Sequence, residues 1–220
     1  MLIRADLSQR EVVLPADMVY VASPMPGVER IMLDRVGGEV ARATSIVRYA
    51  PGSRFDPHPH ELGEEFLVLS GVFSDASGDF GPLCYVRNPP GSAHAPWSVG
   101  GCVIFVKLRQ FDLADRTRVV IDPRQADWRS GGAGSGMKLL ALHRFGAERV
   151  ALAALAPGAL AGPQILAGGA EILVLDGLFE DEFGRYPTGA WLRLPDGFRH
   201  TPFSSQGCLL YVKTGHLGAH

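Results

Sequence analysis

The stretch PGSRFDPHPHELGEEFLVLSG, residues 51–71, returns 106 residues later as PGALAGPQILAGGAEILVLDG, residues 157–177. Extended outward, residues 51–107 align with 157–213 without a gap, and 22 of the 57 positions are identical. Pro89, Gly91, His94 and Pro96 fall on Pro195, Gly197, His200 and Pro202, and Gly101-Cys102 and Val106-Lys107 fall on Gly207-Cys208 and Val212-Lys213. A self-match of this length at one fixed offset means two copies of one domain. The boundary is placed near Asp115 to Pro123, which gives domains 1–118 and 119–220.

Each copy consists of short apolar runs broken every 8 to 12 residues by turn signals, in the first copy Ala50-Pro51-Gly52, Gly71, Ser77-Gly78, Pro89-Pro90-Gly91 and Gly100-Gly101. That punctuation, with little 3.6-residue periodicity, predicts an all-β sandwich or barrel in each half. The clearest predicted strands of the first copy are 42–50, 65–73, 83–87 and 102–110. The run from Ser130 to Gly136 reads as an exposed turn leading into the second copy. The two halves are expected to pack as a pseudo-dimer through outward apolar positions such as Leu67, Leu69, Leu173 and Leu175.

Composition removes several functional classes. A net charge of −2 and no cluster of Lys or Arg beyond a pair leave no nucleic-acid footprint. The longest apolar runs, such as 102–106 and 172–175, are of strand length and far too short to span a membrane. The opening MLIRADLSQR lacks the apolar core of a signal peptide. Cys84, Cys102 and Cys208 are odd in number and show no C-x-x-C spacing. They predict reduced thiols in a cytoplasmic protein. No nucleophile elbow, P-loop or dinucleotide fingerprint is present.

The chemistry is concentrated in the first copy. From Gly52 the pattern is G-x5-H-x-H-x3-E-x6-G, through His58, His60, Glu64 and Gly71, followed by P-x-G-x-x-H at Pro89, Gly91 and His94. Residues two apart on a strand point to one face, so His58 and His60 aim together into a barrel. Glu64 is a further even step, and the Pro-x-Gly turn delivers His94 from a neighbouring strand. Three imidazoles and a carboxylate form an N3O site for one divalent transition metal, with one or two coordination positions open.

A lone histidine is ordinarily a polar core or surface residue, and His143, His216 and His220 are read that way. The second copy has Gln164, Leu166 and Ala170 where the first has His58, His60 and Glu64; only His200 matches His94. Those donors are too few, so the second copy is expected to bind no metal. The shared residues Glu65/Glu171, Arg87/Arg193 and Lys107/Lys213 are then scaffold. By parity Glu65 faces away from Glu64, as a structural ion-pair or hydrogen-bond partner. Phe66, Val68 and Ser70 share the parity of Glu64, as cavity lining or as core. Phe55, Tyr85, Trp97 and Phe105 are either pocket walls or plain core. Cys84, replaced by Ala190 in the second copy, is the thiol to watch, as a site residue or as buried filler.

These two motifs are the signatures of the cupin superfamily, which the first copy resembles. Within it the chain resembles the ChrR-type cupin, the C-terminal domain of zinc-binding anti-sigma factors. The resemblance rests on residues 23–35, 43–53, 64–75 and 85–96. It implies two tandem double-stranded β-helix (jelly-roll) barrels, with the family's zinc ligands falling on His58, His60, Glu64 and His94. Two positions of the general second motif depart, Leu83 for a glycine and Ser98 for an asparagine. The family's sigma-binding helical domain, with its own His/Cys zinc site, has no counterpart here, so direct sigma-factor binding is not expected.

Two functions follow from these readings. One is a metal-dependent, dioxygenase-like enzyme that takes a small enolisable or hydroxyketone molecule into the first barrel. The other is a ChrR-like sensor of oxidative stress, a regulatory binding module without turnover. Zinc is the metal that the resemblance implies, with Fe, Mn or Ni as alternatives. A homodimer is compatible with either function.

Overall fold

The computed structural model describes residues 1–132 and 135–218; Ala133 and Gly134 of the expected exposed turn, and His220, lie outside them. Contacts divide the chain into two compact units, Met1–Ala5 with Val19–Ala126, and Asp6–Met18 with Asp127–His220. Among the described residues the one helical element is the 3-10 turn Pro15–Asp17; every other regular element is a strand. Among the described residues no helix is long and apolar enough to cross a membrane.

In the first unit the larger antiparallel sheet runs Leu2–Ile3, Val28–Gly37, Ala41–Tyr49, Cys102–Leu108, Glu64–Gly71, Tyr85–Asn88 and Val119–Ile121. A smaller sheet is built from Gly78–Phe80, Phe73–Asp75, Trp97–Ser98 and Ser53–Arg54, and His58–His60 pairs with Ser92–His94 as a separate ribbon. The second unit repeats the plan. Its large sheet runs Arg129–Ser130, Met137–Phe145, Glu148–Leu155, Cys208–Thr214, Ala170–Asp181, Trp191–Leu194 and Glu11–Val13, and its ribbon pairs Gln164–Leu166 with Phe198–His200.

The four strands predicted for the first copy are all present within a few residues of the expected bounds. The predicted 65–73 strand divides at Gly71 into Glu64–Gly71 and Phe73–Asp75. Gly71 has φ +72°, and a Cβ there would collide with the carbonyl oxygen of Gly101. Its repeat mate Gly177, at φ +77°, would strike the carbonyl of Gly207 in the same way. Backbone crowding therefore requires glycine at both positions. The predicted 83–87 strand begins later, at Tyr85, because Leu83 sits at φ +67° in the preceding turn.

A contiguous domain from 1 to 118 does not describe the distribution of contacts. Glu11–Val13 pairs with Trp191–Leu194 in the second unit, and Val119–Ile121 pairs with Tyr85–Asn88 in the first. Both segments lie outside the gapless stretch of the repeat, where self-similarity carries no signal about which sheet a strand joins.

Alternation along Glu64–Gly71 organises the interior of the first unit. Phe66 and Val68 enter an apolar cluster with Tyr49, Phe73, Phe80, Val86 and Ile104. Phe66 packs against Phe73 with ring centroids 4.6 Å apart. The pairing with Cys102–Leu108 shifts register between Val103 and Ile104, so that Val103 opposes Ser70 while Ile104 opposes Val68. This bulge at Leu69 breaks the alternation and leaves Ser70 exposed, away from the face of Glu64.

On the opposite face Glu65 is buried in an ionic network. Its Oε2 accepts hydrogen bonds from Arg87 Nη1 at 2.7 Å and from the Tyr85 hydroxyl at 2.6 Å. Arg87 also donates from Nη2 to Asp115 at 2.7 Å, and its guanidinium stacks 3.7 Å from the centroid of Phe111. Lys107 Nζ donates to Thr44 Oγ1 at 2.9 Å. The second unit keeps the buried charges. Glu171 accepts from Trp191 Nε1 at 2.7 Å, Arg193 donates to the carbonyl of Asp6 at 2.8 Å, and Lys213 pairs with Glu148 at 3.1 Å. Glu65 and its shared partners are therefore scaffold, as the repeat implies.

Removing one member of such a network leaves an uncompensated charge in a dry interior. Arg87→Leu is expected to lower the unfolding free energy by about 3–5 kcal/mol, read as a shift in the urea midpoint at an unchanged slope.

Candidate metal centre

His58 and His94 are directly opposed in the antiparallel ribbon, and His60 is opposed to Ser92. The ribbon therefore stacks His58, His60 and His94 on one face. Their ring centroids are 5.2 Å (His58–His60), 5.0 Å (His58–His94) and 4.5 Å (His60–His94) apart. Glu64, first residue of its strand, completes the group: one ligand atom from each of His58, His60, Glu64 and His94 lies within 4.8 Å of the others. All four residues singled out in the sequence come together.

Every imidazole is oriented through its Nδ1. His58 Nδ1 is 3.0 Å from the carbonyl of Asp56, His60 Nδ1 is 3.2 Å from Ser92 Oγ, and His94 Nδ1 is 3.1 Å from Asp75 Oδ2. Ser92 itself donates to the carbonyl of Pro89 at 2.7 Å, which ties His60 to the Pro-x-Gly turn. Asp75 accepts from the backbone N–H of Ser77 at 2.7 Å and from the Ser77 hydroxyl. Asn88 Nδ2 donates to Glu64 Oε1 at 3.3 Å. With Nδ1 engaged in each ring, the Nε2 atoms face inward, as metal-ligating histidines do when a second group fixes the tautomer.

The electrostatics fit a cation. His60 Nε2 and His94 Nε2 are buried and have no hydrogen-bond partner. They stand 3.6 and 3.5 Å from Glu64 Oε1, beyond hydrogen-bonding distance. Burial pushes the His60 imidazole down to about 4, with the charge of His58 adding to the effect, and burial also lowers His94. Both rings therefore offer lone pairs to a carboxylate that is itself an acceptor. Burial raises Glu64, opposed by the nearby imidazoles of His94 and His58. Asp75 is held below the ordinary carboxylate range: burial would raise it, but hydrogen bonds from Ser77 and His94 outweigh that. Two donors on one metal at about 2.1 Å each lie within about 4.2 Å of one another, so a small inward movement would bring this group to bonding distance. The donor set could hold one divalent transition metal.

A cavity of about 460 Å³ adjoins the group, with His58, His60 and Glu64 in its wall. Tyr49, Phe55, Val47, Ile104 and Val106 form an apolar side, and Arg30, Arg35 and Arg109 lie on a polar one. The arginines are tied down: Arg30 forms a two-pronged pair with Glu39, Arg35 donates to the carbonyls of Gly38 and Glu39, and Arg109 pairs with Glu61 at 2.8 Å.

Of the candidate wall residues, Phe55 lines the cavity, whereas Tyr85, Phe105 and Trp97 do not. Phe66 and Val68 belong to the core instead. Cys84 is buried in that same core, burial pushes its thiol up, and it takes no part in the site. His216 lies 3.4 Å from Glu171, within the scaffold. Sequence reasoning missed Asp75, Ser92, Asn88 and Tyr49. A signal for Asp75 was present, because its repeat mate is Asp181, which sits 3.3 Å from His200 Nδ1.

Among the described residues the second unit has no equivalent of this group. Gln164 opposes His200 in its ribbon, but Leu166 and Ala170 stand where the first unit has His60 and Glu64.

Fold and site together define a two-barrel protein with one histidine-rich centre. The family model for the ChrR cupin-like domain matches residues 8–112 and again 116–218, and the chain belongs to that family. Solved structures share the fold at low identity. A "putative dioxygenase" from Nostoc punctiforme superposes with a TM-score of 0.77 at 15% identity, covering 97% of this chain and 85% of that one. An oxalate decarboxylase from Lactobacillus farciminis, solved as a formate complex, gives 0.65 at 10% identity over 93% and 86% of the two chains. The bacterial pirin YhhW from Escherichia coli, in complex with nickel(II), gives 0.67 at 13% over 94% and 98%. No curated protein sequence matches the chain.

Asp75 touches none of the cavity but orients His94. Asp75→Asn is expected to weaken metal affinity about tenfold or more while preserving the fold, measured by competition with a chromophoric chelator alongside circular dichroism.

Proposed function

We propose that the chain is a metal-dependent cupin enzyme. In this reading His58, His60, Glu64 and His94 hold a single divalent transition metal, and the adjoining cavity takes a small enolisable or hydroxyketone molecule. The observation that carries this reading is the pair of buried, partnerless Nε2 atoms turned toward a carboxylate at the wall of a 460 Å³ cavity. A divalent cation bound there would take up the Nε2 lone pairs and the Glu64 carboxylate together, and the cavity gives a small molecule access to it.

The protein's own groups bind and orient. Tyr49, Phe55, Ile104 and Val106 pack against the carbon skeleton and exclude water from the metal face. Arg30 and Arg109, already balanced by Glu39 and Glu61, present a polar rim that suits an oxygen-rich end. Among the described residues Glu39, Glu61 and Glu64 are the carboxylates lining the cavity; two are ion-paired and the third is a ligand, so none is a free general base. A divalent metal held there supplies Lewis acidity toward vicinal oxygens and, if it is Fe(II), redox capacity.

Membership of the ChrR cupin-like family favours a second reading, a zinc-holding module that responds to oxidants without turnover.

Elemental analysis of protein purified without chelators or nickel resin separates the two. About one equivalent of Fe or Mn per chain, with O2 uptake on enolisable ketones, supports the enzyme. One equivalent of Zn with no turnover supports the sensor, and no metal at all overturns both. His60→Ala is expected to lose most of the bound metal and His200→Ala none; equal losses would show two sites rather than one.

A further inference from the structure

Where the first unit gathers ligands, the second has a cavity of about 260 Å³ bounded mainly by aliphatic side chains. Leu166 and Ala170, which stand in the places of His60 and Glu64, are part of its wall. Replacing ligands by hydrocarbon without filling the space converts a metal site into an apolar chamber. Chambers of this kind hold small hydrophobic molecules: a dry apolar cavity of about 150 Å³ in another protein takes up benzene.

The polar groups of the lining are Arg149, Gln164, His200 and Thr214. Arg149 is engaged through Nη1 with the backbone carbonyls of Gly146 and Glu148, at 2.6 and 2.7 Å. His200 is 3% exposed and is the aromatic nitrogen base of the chamber. Its Nδ1 edge is turned to Asp181 Oδ2 at 3.3 Å. Asp181 is outside the lining and is itself fixed by the Tyr186 hydroxyl at 2.7 Å and the backbone N–H of Phe183 at 2.9 Å. A carboxylate on Nδ1 favours the tautomer with its hydrogen there, which leaves Nε2 as the accepting edge. Across the ribbon, Gln164 adds an amide that can donate or accept.

We propose that the second unit is a metal-independent binding site for a small, mainly apolar molecule bearing one hydroxyl group, of the class of monocyclic phenols. The ring occupies the aliphatic chamber, and the hydroxyl donates to His200 Nε2. The retained His200–Asp181 pair then has a use in a unit that has lost the other ligands: it fixes an acceptor in an otherwise apolar cavity. This inference does not depend on whether the first unit holds a metal.

The test uses the full chain labelled at isoleucine δ1 methyls, titrated with p-cresol and with toluene. Ile172 lines the second cavity and Ile104 the first, so the responding methyl reports which cavity is occupied. Saturable 1:1 shifts at Ile172 and not at Ile104 are expected, with p-cresol bound about fivefold more tightly than toluene, the worth of one hydrogen bond. His200→Leu should erase that preference while leaving toluene affinity and metal content unchanged. Ala153→Phe, which fills the chamber, should abolish both; if that variant fails to fold, His200→Leu still decides. A response at Ile104 instead, no saturable response, or equal affinities in wild type and His200→Leu would each overturn the proposal.

Discussion

Two adjacent glutamates on one strand point in opposite directions, and the first unit depends on that alternation. Glu64 faces the cavity among three imidazoles, while Glu65 is buried against Arg87 and Tyr85. A strand slipped by one residue would send the cavity-facing carboxylate into the ionic network and its structural neighbour into the cavity. The network opposes such a slip, because Arg87 and Asp115 are fully buried and Arg87 is paired with both Glu65 and Asp115 in this register. The strand tolerates its bulge at Leu69 because that irregularity lies beyond both glutamates, towards Gly71.

The two units form an experiment within one chain. Both keep the glycines that let the strand ends approach, the buried glutamate, arginine and lysine, and the histidine held by an aspartate. They differ at the ligand positions, where imidazole, imidazole and carboxylate give way to amide, isobutyl and methyl groups. The same fold is thus built with and without the His58, His60 and Glu64 side chains, around the shared residues. At those positions the second unit has a cavity bounded mainly by apolar side chains.

The centre itself is built from short-range geometry and then corrected by longer-range contacts. Strand alternation accounts for His58 with His60, and ribbon pairing accounts for His94. The orientation of each ring depends on groups that are remote or irregular in sequence: a carbonyl at Asp56, a turn serine at Ser92, and Asp75 from the other sheet.

The amino-acid sequence by itself determined the doubled all-β architecture, the four-residue cluster, its absence from the second copy and the scaffold role of Glu65. Each of these is written in periods of two, in turn residues or in the internal repeat, all of which are local or self-referential signals. Tertiary structure alone decided which sheet takes Glu11–Val13 and which takes Val119–Ile121, since pairing between distant strands leaves no local pattern. It also decided that Phe66 and Val68 are core, that Ser70 is exposed, and that Tyr49 and Phe55 face the cavity. A bulge and the curvature of two packed sheets set those directions, and neither can be read from alternation along a single strand.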